Sequence, residues 1–392
     1  MIIYVGALLV TLFFSTLYNR VNNKRAKVLY IIASILPLTI ISAIRYNVGT
    51  DYLFRYAPDY LNIIKGCDVP NLEIAFKILI KICVLFSHDY VLLFCVTSVI
   101  INYFIFKTIF KYSKNIQLSI ILYFLTSNYF ISMNLVRQYI SMSILLYFSI
   151  DYLHNNKIYK YLIAQVSAIL FHTMSVVFVV TLFLKKKIIK PIYTVVTTVI
   201  LFLFAKNILQ FFINLIKFMG LKNVSKYNRY LSQIKGDFAI SAFIIEILIY
   251  IIFYFIIRQL KVKNKNIDKE TIFYFNIQTI CLIMIILSAK MELWNRIEIF
   301  FGLFHIISIP HFYNLLKNEL DFKLKFIKNK IKLSQIFYVS IMLLFSTRII
   351  YSVIIKGAID VLPYKTIKSR PNDIYSEVNK TELYDNCVIN KN

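Results

Sequence analysis

Residues 239–258 read AISAFIIEILIYIIFYFIIR, with Glu246 the one charged side chain before the closing Arg258. A helix rises about 1.5 Å per residue, so roughly twenty such residues cross the hydrocarbon layer of a bilayer. The stretch therefore reads as a membrane span. Residues 258–269, RQLKVKNKNIDK, follow at once, and so basic a run belongs in water. The same alternation repeats in both directions. Apolar stretches fall at 1–19, 28–44, 89–109, 116–132 and 134–153 on one side, and at 271–289, 297–315 and 333–355 on the other. Residues 160–184 form either one long span or two short helices meeting near His172, and 190–219 begins as a span and then turns polar on one side. Composition agrees: 59% of the 392 residues are hydrophobic and 16% charged, whereas soluble domains carry about 25% charged residues. The surplus apolar surface faces lipid.

A formal net charge of +26 would point to nucleic acid in a soluble protein. Here the Lys and Arg residues gather in short runs between spans, at 24–27, 111–114, 157–160, 185–190, 258–269 and 317–332, and no nucleic-acid role follows. All these runs fall on one side if 72–87 does not cross and 160–184 is a hairpin. By the positive-inside rule that side is the cytoplasm. The expected fold is all-α, a polytopic bundle of about twelve membrane helices. One membrane domain covers 1–356, and 357–392 is a short extracytoplasmic tail. Glu73, Lys77 and Lys81 recur every four residues in 72–87. Lys206, Asn207, Gln210, Asn214 and Lys217 do likewise in 206–219, so both segments read as outer interfacial helices. The first 19 residues lack a basic start and a small-residue cleavage site and read as a retained helix. The five cysteines show no CxxC and no metal spacing. Cys67 and Cys387 fall on the outer side, where a disulfide between them is an open alternative.

An ionisable side chain inside a span costs a few kcal/mol even on insertion-based scales, so each invites an explanation. On this topology Arg45, Asp51, Arg55, Glu73, Arg137, Gln138, His172, Glu246, Arg296, Glu298 and Arg348 all lie toward the outer ends. The cytoplasmic halves hold little comparable, with Asp151 and His311 at their ends. Each has a bland reading: an Arg near a helix end snorkels, a lone His packs, and Asp51 after Val48-Gly49-Thr50 caps a turn. Their shared side is less easily dismissed and implies a wet cavity open to the outside.

Five short motifs carry a resemblance. Arg45-Tyr46-Asn47-Val48-Gly49-Thr50-Asp51-Tyr52, with Tyr56 a turn later, resembles the first outer loop of EpsG-type proteins, which belong with the Wzy-like polysaccharide polymerases of bacterial envelopes. Glu73-Ile74-Ala75-Phe76 is similar to the Glu-x-x-Phe that follows there, although Ala75 stands where glycine is common. Asn134-Leu135-Val136-Arg137-Gln138 resembles the family's Arg-Gln helix start, and Ala168 to Ser175, around His172, its Phe-His hairpin. Asn295-Arg296 before Phe300-Phe301 resembles the late Arg-aromatic motif. Order and spacing agree over about residues 25–310.

The resemblance implies a polymerase of the bacterial cytoplasmic membrane with an extracytoplasmic site. It would transfer a glycan from undecaprenyl diphosphate onto the next lipid-linked repeat unit, without a cofactor. The chemistry suits the residues. Planar guanidinium groups bind phosphates as a fork, which gives Arg45, Arg137 and Arg296, with Gln138 and Tyr52, substrate-binding roles. A sugar hydroxyl is a poor nucleophile that gains from a positioned base, and His172, Asp51 and Glu73 are the candidates. The expected partners are the lipid-linked oligosaccharide, the bilayer, and flippase and chain-length regulator proteins. No nucleotide loop or metal-ligand spacing appears. A lipid-linked oligosaccharide flippase would place charges through the midplane and show two similar halves. A membrane O-acyltransferase would want its His on the cytoplasmic side.

Overall fold

The computed structural model describes the chain except residues 71, 206, 209, 212–213, 215–239, 321–322, 327–328, 358, 374, 376, 379–382 and 384–392. Helices α1 (Ile2–Arg20), α2 (Lys24–Ala43), α3 (Ala57–Ile64), α4 (Ile74–Phe86) and α5 (Val91–Tyr112) open the chain. A broken pair follows, α6 (Ile116–Leu125) and α7 (Asn128–Asn134), then α8 (Val136–Asn155), α9 (Ile158–Phe171) and α10 (Pro191–Leu203). After the undescribed stretch come α11 (Ile240–Val262), α12 (Lys269–Ser288), α13 (Glu292–Gly302), α14 (His305–Leu315) and α15 (Leu333–Ile349). A short hairpin pairs Lys323–Phe326 with Asn329–Lys332. Polar side chains start several helices where the first backbone N–H groups lack partners: Asn23 caps α2, Asn115 caps α6 and Asp268 caps α12.

Six helices among the described residues are long and apolar enough to cross a membrane, or eight if each bent pair is one span. Their outward faces carry Ile2, Leu9, Leu29, Ile251 and Leu343, all exposed. Soluble proteins rarely expose such contiguous apolar surface, so the chain is an integral membrane protein. The 160–184 stretch resolves into two short pieces, α9 and a 3-10 segment at Thr173–Phe183, meeting at His172. Of the two segments read as interfacial, 72–87 is a helix that buries Phe76, Ile80 and Cys83 while Lys81 stays exposed. The segment 206–219 lies largely outside the described residues.

The helices pack as two compact units: Met1–Tyr152 with Lys157–Val176 and Phe345–Asn392, and Leu153–Asn156 with Val177–Leu344. The tail is part of the first unit. There it lies against the loop after α2. Tyr46 N–H donates to Lys365 O at 2.9 Å, Gly49 N–H to Asp360 O at 3.0 Å, and Ile367 N–H to Ile44 O at 3.0 Å. Tyr46 also donates its hydroxyl to Glu377 at 2.7 Å, and Arg370 pairs with Asp89 at 2.7 Å.

Candidate functional site

In the first unit, the loop after α2 is shaped by Gly49, whose φ of +94° suits a residue without a Cβ. A Cβ there would meet Met133 O at 3.1 Å, so glycine also permits a close crossing of two backbones. The opposing chain is the end of α7. The α6–α7 pair bends by 51° after Ser127, itself left-handed at φ 64°. That bend presents Asn134, whose Oδ1 accepts from Thr50 Oγ1 and from Asp51 N–H, both at 2.9 Å. Leu135 then breaks the helix and α8 begins, with Arg137 and Gln138 in its first turn.

Arg137 pairs with Glu73, the residue that opens α4. The other oxygen of the same carboxylate, Oε1, lies 3.5 Å from His172 Nδ1. The Tyr56 hydroxyl hydrogen-bonds the Arg137 side chain, and the guanidinium sits 5.9 Å from the Tyr56 and Phe76 ring centroids. Burial raises the Tyr56 phenol above its ordinary range, so it stays neutral. Ser141 on α8 donates to Ala168 O on α9 at 2.9 Å, one turn before His172. Three motifs far apart in sequence thus meet: the Glu-x-x-Phe start of α4, the Arg-Gln start of α8 and the His172 corner. The carboxylate of Glu73 is about nine-tenths covered, and the His172 side chain is 18% exposed. A buried carboxylate between a guanidinium and an imidazole neutralises the first and lies within ion-pair reach of the second.

Arg45 is placed differently. It is 1% exposed, donates to Ser42 O, to Met133 O at 3.1 Å and to Ser98 Oγ at 3.3 Å, and lies 4.8 Å from the Phe94 ring centroid. Burial pulls its guanidinium down from the usual value. Tyr52 is fully buried, stacks on Phe94 at 3.9 Å and donates to Arg45 O at 3.1 Å. Asp51 starts a π-helical turn at Tyr52–Tyr56. Gln138 is buried.

Arg296 belongs to the second unit, half-buried on α13. In that unit Phe300, Phe301 and Phe304 surround the ring of Phe178 at 5.6, 5.4 and 5.9 Å. Glu298 leans against Gly302, where a Cβ would meet its Oε1 at 2.8 Å. Glu246 is held by Gln278, whose Nε2 donates to Oε2 at 2.8 Å and whose Oε1 takes the Nε2–H of His305 at 2.8 Å. Gln278, between Asn276 and Thr279 in a largely apolar helix, and the lone His305 gave no sign in the sequence that they meet Glu246. Tyr56 had a signal, its place one turn after Tyr52, but nothing in the sequence showed that it meets Arg137.

One family model matches, the EpsG family, over residues 28–366. No curated protein and no solved structure matches the chain. The chain belongs to the EpsG family, a family of Wzy-like polysaccharide polymerases.

Proposed function

We propose that this EpsG-family chain polymerises an envelope glycan at the outer face of the bacterial cytoplasmic membrane. It moves the growing chain from undecaprenyl diphosphate onto the next lipid-linked repeat unit. The observation that carries the reading is the Arg137–Glu73–His172 arrangement, a charge pair whose carboxylate also lies within ion-pair reach of an imidazole. Polymerisation needs those two parts, one for the departing diphosphate and one for the acceptor hydroxyl.

The acceptor hydroxyl attacks the anomeric carbon of the donor glycan. His172 takes the hydroxyl proton as the new C–O bond forms, and the electrons of the broken C–O bond leave on the diphosphate. Arg137 then exchanges Glu73 for that anion, since a guanidinium fork matches phosphate oxygens. Glu73, released, pairs with the protonated His172 and stabilises it, as an orienting carboxylate does in a catalytic triad. Glu73 is therefore a positioning residue and His172 the base; Asp51 and Tyr52 shape the loop. Arg296 and Gln138 remain substrate-binding candidates. The proposed membrane arrangement counts twelve embedded helices, with α6–α7 and α13–α14 as single broken spans and α4 in the outer interface.

Two observations support the outer side. Cys67, in the loop after α3, is disulfide-bonded, and disulfides persist in oxidising compartments. The tail pairs with the loop after α2 through Asp360, Lys365, Ile367 and Glu377, so the two share one side. Flippase and chain-length regulator proteins are the partners such a step needs. The test is complementation of a polymerase-deletion strain, read as a ladder of glycan lengths. Restoration of long rungs is expected; a strain that exports only single repeat units despite normal protein levels contradicts the reading.

A further inference from the structure

We infer that Asp268, Glu270 and His311, in the second unit, form a binding site for a divalent cation of the zinc type. One ligand atom from each lies within 4.8 Å of the others. They come from two elements: Asp268 caps α12, Glu270 lies in its first turn, and His311 sits in the middle of α14. The site stands apart from the proposed polymerase chemistry and does not rest on it.

The electron pairs point the right way. His311 is 3% exposed, and its Nε2 lies 2.8 Å from Thr271 Oγ1. In the tautomer that donates Nε2–H to this hydroxyl, Nδ1 carries a lone pair. Nδ1 makes no hydrogen bond, yet it lies 3.2 Å from Glu270 Oε2. In that tautomer two acceptors face each other at this distance in a buried place, an arrangement that a cation between them satisfies. Metal-ligating imidazoles characteristically give their second nitrogen to a hydrogen-bond partner, and ligating carboxylates are themselves held. Both conditions are met: Thr271 holds His311, and His154 Nε2 reaches the other oxygen of Glu270, Oε1, at 2.7 Å. Asp268 Oδ1 accepts from Thr271 N–H at 2.8 Å, which fixes the second carboxylate on the same turn.

One imidazole and two carboxylates form a nitrogen–oxygen donor set that suits Zn²⁺, with room in a four-coordinate shell for one more ligand. Mg²⁺ prefers oxygen ligands and octahedral geometry and fits less well. Such an ion ties the start of α12 to the middle of α14, and through Glu270 to the 154 turn. Asp268, Glu270, His311 and His154 all belong to the second unit.

The experiment uses full-length protein in detergent, purified on a tag free of histidine, stripped with EDTA, incubated with ZnCl₂ and desalted. About one zinc per chain is expected to remain, as for a three-ligand site. Glu270→Gln keeps the side-chain size, and Asp268→Asn keeps a competent helix cap, so neither should unfold the protein; both should lose the zinc. Thr271→Val should weaken zinc binding by about 10- to 100-fold, the usual cost of removing an outer hydrogen bond. Zinc should also raise the melting temperature of the wild type and leave Glu270→Gln unmoved. No retained zinc in the wild type, or equal retention in Glu270→Gln and Asp268→Asn, overturns the site and leaves an ion-paired histidine.

Discussion

Arg45 and Arg137 are both buried in the first unit, and their partners separate them. Arg45 gives its hydrogen bonds to the carbonyls of Ser42 and Met133 and the Ser98 hydroxyl, beneath the face of Phe94. Arg137 faces a carboxylate that also faces a histidine. A guanidinium bound to backbone carbonyls holds a loop to a helix end; releasing it strands buried acceptors, at about 1–3 kcal/mol each. A guanidinium bound to a carboxylate can trade one anion for another at far smaller cost. On the proposed mechanism, one of two arginines that look alike in sequence stays and the other exchanges.

The contrast breaks first at His172. His172→Ala should slow chain extension by about 100- to 10,000-fold, the worth of a positioned base, at normal protein level. Arg137→Lys keeps the charge beside Glu73 but loses the fork. Extension should fall by about 10- to 100-fold, equivalent to about 1.5–3 kcal/mol for a hydrogen bond to a charged group. Glu73→Gln should cost less, about tenfold, because Gln still orients His172 but no longer stabilises its cation. A glycan ladder quantified against membrane-inserted protein measures all three. Arg45→Lys should leave the rate per folded molecule unchanged while lowering stability by about 1–3 kcal/mol, seen in thermal denaturation in detergent. If Arg45→Lys shortens the glycan as much as Arg137→Lys does, the two arginines share a role and the distinction fails.

Hydropathy and charge placement located most helices because bilayer thickness constrains length so strongly, as at 239–258, where α11 spans Ile240–Val262. The break at 126–128 was not legible: Thr126-Ser127-Asn128 is an unremarkable polar triplet, and the bend depends on a left-handed Ser127. The site was legible as a set of charged letters on one side of a proposed topology. Its pairings were not, since they join residues up to a hundred positions apart. Glu73 and His172 both read as base candidates, and nothing in their spacing showed that they lie 3.5 Å apart. Likewise the lone His311, late in the 297–315 stretch, gave no hint of Asp268 and Glu270, because a basic run masks both acids. The expectation of no metal site came from sequence spacing alone, and residues brought together from α12 and α14 leave no such spacing.

The most direct measurement is polymerisation by purified protein in liposomes, supplied with a lipid-diphosphate-linked repeat unit and compared with His172→Gln. Glutamine fills the same space and hydrogen-bonds Glu73, but it takes up no proton near neutral pH. The account predicts that His172→Gln still binds the lipid-linked substrate and makes no long glycan. Full-length chains from His172→Gln at the wild-type rate would contradict it.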